Sequence, residues 1–167
     1  MQKMLTVDYS KCTGCRLCEV VCSAKKNDSV NPDRARLAIV KWEQACVDMP
    51  MICQQCESAP CMMVCPVKAL SMDERLNRVV INQDLCIGCR FCVAVCPFGA
   101  MSMDPATRKV VKCDLCDGQP VCVRFCETKA LQYEEAGTAS AKKMRATAKK
   151  VLESMRAAQA GPRDQTR

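Results

Sequence analysis

Thiol is the one reactive side chain that this sequence uses in quantity: 17 of its 167 residues are cysteine and none is histidine. Sixteen of the seventeen fall into four groups. The first is Cys12, Cys15, Cys18 and Cys22, the second Cys53, Cys56, Cys61 and Cys65, the third Cys86, Cys89, Cys92 and Cys96, and the fourth Cys113, Cys116, Cys122 and Cys126. Each opens with two cysteines separated by two residues, and each crowds four thiols into 11 to 14 positions. Soft thiolate donors at this density hold zinc or iron with sulfide. Structural zinc sites set two such pairs about a dozen or more residues apart and often add histidine, so neither the spacing nor the composition suits zinc. A cubane of four irons and four sulfides presents irons at alternate corners, each in need of one more thiolate. Cysteines every third residue on a tight loop reach three corners, and the fourth ligand comes from elsewhere in the chain. The expected cofactors are therefore four 4Fe-4S clusters.

In bacterial two-cluster ferredoxins the fourth cysteine of C-x2-C-x2-C-x3-C-P serves the other cluster. Pro66 and Pro97 complete that run in the second and third groups, whereas Ser23 and Glu127 stand in its place in the first and fourth. Other chemistry finds no support. No general acid, base or nucleophile arrangement stands apart from the thiols, so no catalytic residue is assigned and the chain reads as a non-catalytic carrier. All sixteen ligand positions are filled, which leaves no open iron and favours reversible one-electron transfer.

Composition narrows the class further. Aromatic residues make up only 4% of the chain, so the rings that usually dominate a core are scarce and inorganic matter takes their place. A cysteine content near one tenth signifies a disulfide scaffold only in exported chains. Residues 1–9 resemble no export signal, and no stretch has the ~18 apolar residues of a membrane span. The expected location is the reducing cytoplasm, with no direct membrane span. The formal net charge of +7 raises nucleic acid as a ligand. Sixteen thiolates on four oxidised clusters bring that total to about −1, and no aromatic platform or reader motif is present, so nucleic-acid binding is set aside.

The elements that carry the thiols are short. Apolar runs at Met4–Val7, Leu37–Val40, Val79–Ile81 and Val110–Val111 predict strands. Ala69–Met72 and Ala100–Met103, each followed by a polar bend and a β-branched run, predict hairpins. Single-turn helices are expected to begin near the third cysteine of each group and to carry the fourth, as at Leu17–Ala24 and Cys92–Val95. Residues 23–52 should contain one strand and a loop. The seventeenth thiol, Cys46, lies outside every group and is expected to be a buried small apolar residue. Lys68, Arg90, Lys112, Arg124 and Lys129 flank the thiols; they either tune potentials or are plain solvated charge, the second being the default for any one of them. From residue 136 onward the cysteines cease, and Met144, Ala148, Val151 and Met155 recur at helical spacing. This predicts an amphipathic helix over much of 136–167, packed on its own domain or serving as a docking tail.

With the four groups in place, the sequence resembles the four-cluster ferredoxin-type subunits of molybdenum and tungsten oxidoreductases, of which the dimethyl sulfoxide reductase iron-sulfur subunit is the type. Its signatures are Cys53-Gln54-Gln55-Cys56, the run from Asp84 through Cys86-Ile87-Gly88-Cys89 to Cys92, and Lys112-Cys113-Asp114-Leu115-Cys116. The short length is most similar to the small subunits that accompany tungsten aldehyde oxidoreductases. The resemblance covers residues 4–135 and implies an α+β fold of two pseudo-symmetric, bacterial-ferredoxin-like modules, followed by the C-terminal helix. It joins groups 1 and 4 in one two-cluster module and groups 2 and 3 in the other, all within residues 1–135. It also implies four ligand sets: Cys12, Cys15 and Cys18 with Cys126; Cys113, Cys116 and Cys122 with Cys22; Cys53, Cys56 and Cys61 with Cys96; and Cys86, Cys89 and Cys92 with Cys65. The implied function is an electron-transfer subunit that passes single electrons between a pterin-type or hydrogenase-type catalytic subunit and another redox subunit or carrier. A freely diffusing polyferredoxin is the alternative, and self-association through the tail is a further expectation.

Overall fold

The structure, a computed structural model, describes residues 2–141, 144, 145 and 148. Its strands are β1 (Lys3–Val7), β2 (Ala38–Trp42), β3 (Val47–Met51), β4 (Leu70–Asp73), β5 (Arg78–Ile81), β6 (Met101–Met103), β7 (Val110–Lys112) and β8 (Leu131–Glu135). They pair two by two into antiparallel ribbons: β1 with β8, β2 with β3, β4 with β5 and β6 with β7. The first ribbon sets Lys3 opposite Glu135 and Val7 opposite Leu131, so the opening strand is held by one more than a hundred residues later. Two-stranded ribbons are marginal by themselves in water. Helices and thiol-bearing loops must cover their inner faces.

α1 (Leu17–Asn27), α2 (Pro60–Met63), α3 (Phe91–Val95) and α4 (Val121–Arg124) stand beside them, with α2 packed on β4, α3 on β6 and α4 on β8. α1 packs on α4 and α2 on α3. Local chemistry sets their ends. α2 starts on Pro60, whose fixed φ suits a first helical turn and whose missing N–H is not needed there. α3 stops at Cys96, which precedes Pro97 and is forced into extended backbone at φ −69° and ψ 112°. α1 runs 11 residues and closes on Asp28 in the left-handed region, with Lys25 and Lys26 favourably placed at the negative end of its dipole.

Two buried clusters result. Leu5, Leu37, Ile52, Leu115 and Leu131 form one together with Cys22, Cys113 and Cys122. Ala59, Leu70, Val79, Met101 and Val110 form the other with Cys92. The first takes its remaining thiols from groups 1 and 4, apart from Cys53, and the second takes its thiols from groups 2 and 3. Polar bonds bridge distant segments. Arg34 pairs with Asp104 at 2.9 Å, and Arg78 on β5 reaches Asp73, Asp117 and the Asp114 carbonyl oxygen.

Several expectations are corrected. Residues 23–52 hold two strands, because β2 turns back on β3 through a 3-10 turn at Glu43–Ala45. Cys46 is exposed: it caps that turn with φ 50°, and its N–H donates to the Glu43 carbonyl at 3.1 Å, at the hairpin tip away from either core. α1 spans about three turns, not one. Only α1 carries its fourth cysteine; Cys65, Cys96 and Cys126 stand just past the ends of α2, α3 and α4. The tail is helical over 136–141, and most of the helix expected there lies outside the described residues. Among the described residues no helix is long and apolar enough to cross a membrane.

Candidate iron-sulfur sites

The four cysteine loops share one backbone device. The residue two after the first cysteine has positive φ in every group: Gly14 at 61°, Gln55 at 48°, Gly88 at 68° and Leu115 at 56°. Left-handed residues in such loops turn successive N–H groups to the same side and create a concave surface for an anion. Glycine adopts this conformation freely, whereas Gln55 and Leu115 do so against their own Cβ. At Gly14 a Cβ would also overlap the Asp48 carboxylate.

The fourth cysteines repeat a second device. Backbone N–H groups donate to three of them: Arg36 to Cys22 Sγ at 3.3 Å, Ala69 to Cys65 Sγ at 3.2 Å and Leu131 to Cys126 Sγ at 3.4 Å. Hydrogen bonds to sulfur stabilise the thiolate and tune a bound cluster. Burial works to raise the Cys126 thiol, but the Leu131 N–H, the Thr128 hydroxyl and the N–H groups of Ala130 and Lys129 together hold it below the usual thiol range.

Elsewhere burial prevails. It pushes the Cys113 thiol up to about 12, and with the Glu19 carboxylate it pushes Cys18 up to about 12 as well. Burial also raises Cys22, Cys61 and Cys92. Cys122 rises through burial and then through the thiols of Cys113, Cys22 and Cys116 around it. Thiols this reluctant to ionise alone become thiolates readily when a cation displaces the proton.

The groupings are specific. One cavity is bordered by Cys86, Cys89 and Cys92 together with Cys65 from the preceding group. A second is bordered by Cys53, Cys56 and Cys61 together with Cys96. Leu70 and Val110 with Arg90 line the rest of the first, and Ala59, Val79 and Met101 with Gln54, Gln55 and Lys112 the rest of the second. The first and fourth groups share a core. Cys22 lies in it beside Cys113 and Cys122, and Cys18 and Cys126 pack against it. Among the described residues no three His, Cys, Asp or Glu side chains converge tightly enough for a single metal ion.

Four thiols around an apolar hollow, with N–H groups aimed at sulfur, are the donor set a 4Fe-4S cube requires. One unpartnered donor of a guanidinium whose Nη1 donates to the Lys112 carbonyl at 3.3 Å agrees with an anionic occupant. The Arg36 Nε is buried without a hydrogen-bond partner, and its charge favours the thiolate form of Cys22.

Comparison with known proteins follows the same line. Residues 40–136 match the 4Fe-4S dicluster domain and residues 5–24 a 4Fe-4S binding domain. This chain belongs to the 4Fe-4S dicluster family. Among its relatives is the polyferredoxin-like subunit of an aliphatic sulfonate oxidoreductase from Pyrococcus furiosus, 43% identical over 122 residues that cover 73% of this chain and 70% of the relative. The B subunit of polysulfide reductase from Wolinella succinogenes is 33% identical over 144 residues, covering 75% of this chain and 72% of that one. Among solved structures, the chain is similar to one in the active-site complex BamBC of benzoyl coenzyme A reductase, with 30% identity, a TM-score of 0.48 and coverage of 78% and 74%.

Residues that the cysteine pattern leaves unmarked complete these dicluster sites. Gln55 donates through Nε2 to the Cys113 carbonyl at 2.8 Å and accepts the Val79 N–H at 3.1 Å, which joins the second cysteine loop to the fourth. Lys112, one of the five flanking cations, is buried, while Lys68, Arg90, Arg124 and Lys129 are exposed. Gln55 sits inside the Cys-Gln-Gln-Cys signature, but nothing in that string says which way its amide faces.

Proposed function

We propose that this chain is the electron-relay subunit of a multi-subunit oxidoreductase, with residues 1–135 holding four 4Fe-4S clusters on sixteen cysteines. The observation that carries this reading is the reciprocal exchange of fourth thiols, Cys65 into the cavity of the third group and Cys96 into that of the second. Cys22, in the core beside Cys113 and Cys122 with Cys18 and Cys126 packed on it, supports the same exchange between groups 1 and 4, Cys126 returning to Cys12, Cys15 and Cys18. Each site, when loaded, supplies reversible one-electron chemistry. The protein holds the sites in sequence and keeps water away from the inner ones.

The order follows from contacts and exposure. Cys15 and Cys89 are exposed, so groups 1 and 3 lie where electrons enter and leave. Groups 2 and 4 meet in the middle, where Cys53 packs against the core that contains Cys113. The relatives named as oxidoreductase subunits support a catalytic partner at one end. We assign that partner to the molybdenum or tungsten pterin class and place the complex in the cytoplasm, on the resemblance and on the export-signal and thiol arguments above.

The test is anaerobic purification followed by iron analysis. The chain should carry about sixteen irons, appear brown and bleach with dithionite. In single variants, Cys96→Ala should abolish the same paramagnetic signal as Cys61→Ala, and Cys65→Ala the same signal as Cys92→Ala. Zinc in place of iron, or a signal shared by Cys96→Ala and Cys92→Ala, overturns the assignment. Native mass measurement from the source should find the chain in a large complex, and a lone monomer would indicate the free carrier.

A further inference from the structure

The strongest feature outside the thiols is a cation sealed inside the seam between two cysteine loops. Lys112 is 3% exposed. Its Nζ donates to Gln55 Oε1 at 2.9 Å, to the Val79 carbonyl at 2.6 Å and to the Cys113 carbonyl at 2.8 Å. All three partners are carbonyl oxygens, which only accept. A neutral amine has two protons and would turn its lone pair on the third, so the site is built for the ammonium form.

We propose that the Lys112 ammonium, enclosed between the second and fourth cysteine loops, sets the reduction potentials of the two inner clusters above the value that their burial alone would allow. The inference rests on the cluster assignment proposed above. Burial makes an added negative charge costly, and the fourth group is deeply buried, with Cys113 at 9% and Cys122 at 4% exposure. Each reduction of a site adds one electron and no proton, so its charge becomes more negative by one while the ammonium keeps its own. A cation inside the same low-dielectric region offsets that change. The exposed cations near the other thiols are screened by water and contribute little.

Three observations fix the role on this residue. Lys112 borders the cavity of Cys53, Cys56, Cys61 and Cys96. It also adjoins Cys113 in the chain and donates to the Cys113 carbonyl, so it stands between the second and fourth cysteine loops. Gln55 is held in the left-handed region and committed on both sides of its amide, an arrangement that costs backbone strain and keeps an acceptor on the ammonium.

The test uses the full chain, purified anaerobically, in two variants. Lys112→Met removes the charge; Gln55→Glu keeps Lys112 and places one negative charge against it. Iron content is measured first, and midpoints are then read by dithionite titration followed by electron paramagnetic resonance. In each variant that retains its iron, at least one midpoint should fall by a tenfold or larger shift in the reduction equilibrium, about 59 mV for one electron. If Lys112→Met loses iron, Gln55→Glu alone decides. Wild-type midpoints in either iron-replete variant overturn the inference. Wild-type protein that holds no iron overturns the cluster assignment itself, which the iron analysis separates from an unchanged potential.

Discussion

Replacing Leu131 by alanine probes the joint between β1, β8 and the thiols of groups 1 and 4. Leu131 is 1% exposed and lies in the core with Leu5, Leu115, Cys22 and Cys122, while its own N–H donates to Cys126 Sγ. The substitution leaves that N–H in place and removes about three carbon groups, worth roughly 2.4 kcal/mol of transfer at ~0.8 each. A residual cavity adds to this, because strand pairing on one side and cysteine loops on the other limit collapse, and the total comes to about 3 kcal/mol. For a chain of this size such a loss lowers Tm by about 6–12 °C. The assay is an anaerobic thermal melt followed by far-UV circular dichroism, with visible absorbance recorded alongside it. Met63→Ala, at a side chain 77% exposed, is the control and should leave Tm unchanged. A Leu131→Ala melt within about 2 °C of wild type would refute the packing argument, since no fully enclosed leucine is removed at so small a cost.

Two further outcomes are expected. Iodoacetamide applied to the iron-loaded protein should modify one thiol, Cys46, and all seventeen after unfolding and iron extraction; more than one modification in the loaded form would refute sixteen-fold ligation. Burial works to raise the Asp104 carboxyl, but the Thr107 and Ala106 N–H groups and Arg34 hold it at about 2. Its folded value lies below the unfolded one, so its stabilisation is present above about pH 4 and lost as pH falls toward about 2. The difference in urea midpoint between wild type and Asp104→Asn should accordingly be largest at neutral pH and should close across that window.

Spacing alone makes much of this architecture legible. Short apolar and β-branched runs flanking polar bends locate β4 through β7, and Pro97 marks the end of α3. What escapes shares a physical cause. β8 is a five-residue strand whose partner is the opening strand of the chain, and no local signal reports so distant a pairing. β3 contains Pro50, which reads as a strand breaker; in a two-stranded ribbon its missing N–H can face away from the partner. Cysteine is usually buried, which argues for Cys46 inside, yet a turn needing a left-handed residue carries it outside. Lys112 and Gln55 look like ordinary polar residues in the sequence. Only the folded loops show that one cation is walled in while four neighbours stay in water.

The pairing of β1 with β8 dictates an order of manufacture. The second and third cysteine groups occupy a contiguous stretch, so their shared hollows can form and fill while later residues are still being made. Groups 1 and 4 stand at opposite ends of the fold's chain path, and the thiols near the start must wait, unprotected, until residues 122–135 arrive to close over them. On the proposed cluster assignment, the sites of groups 1 and 4 would be the last to fill and the most open to oxidation during synthesis.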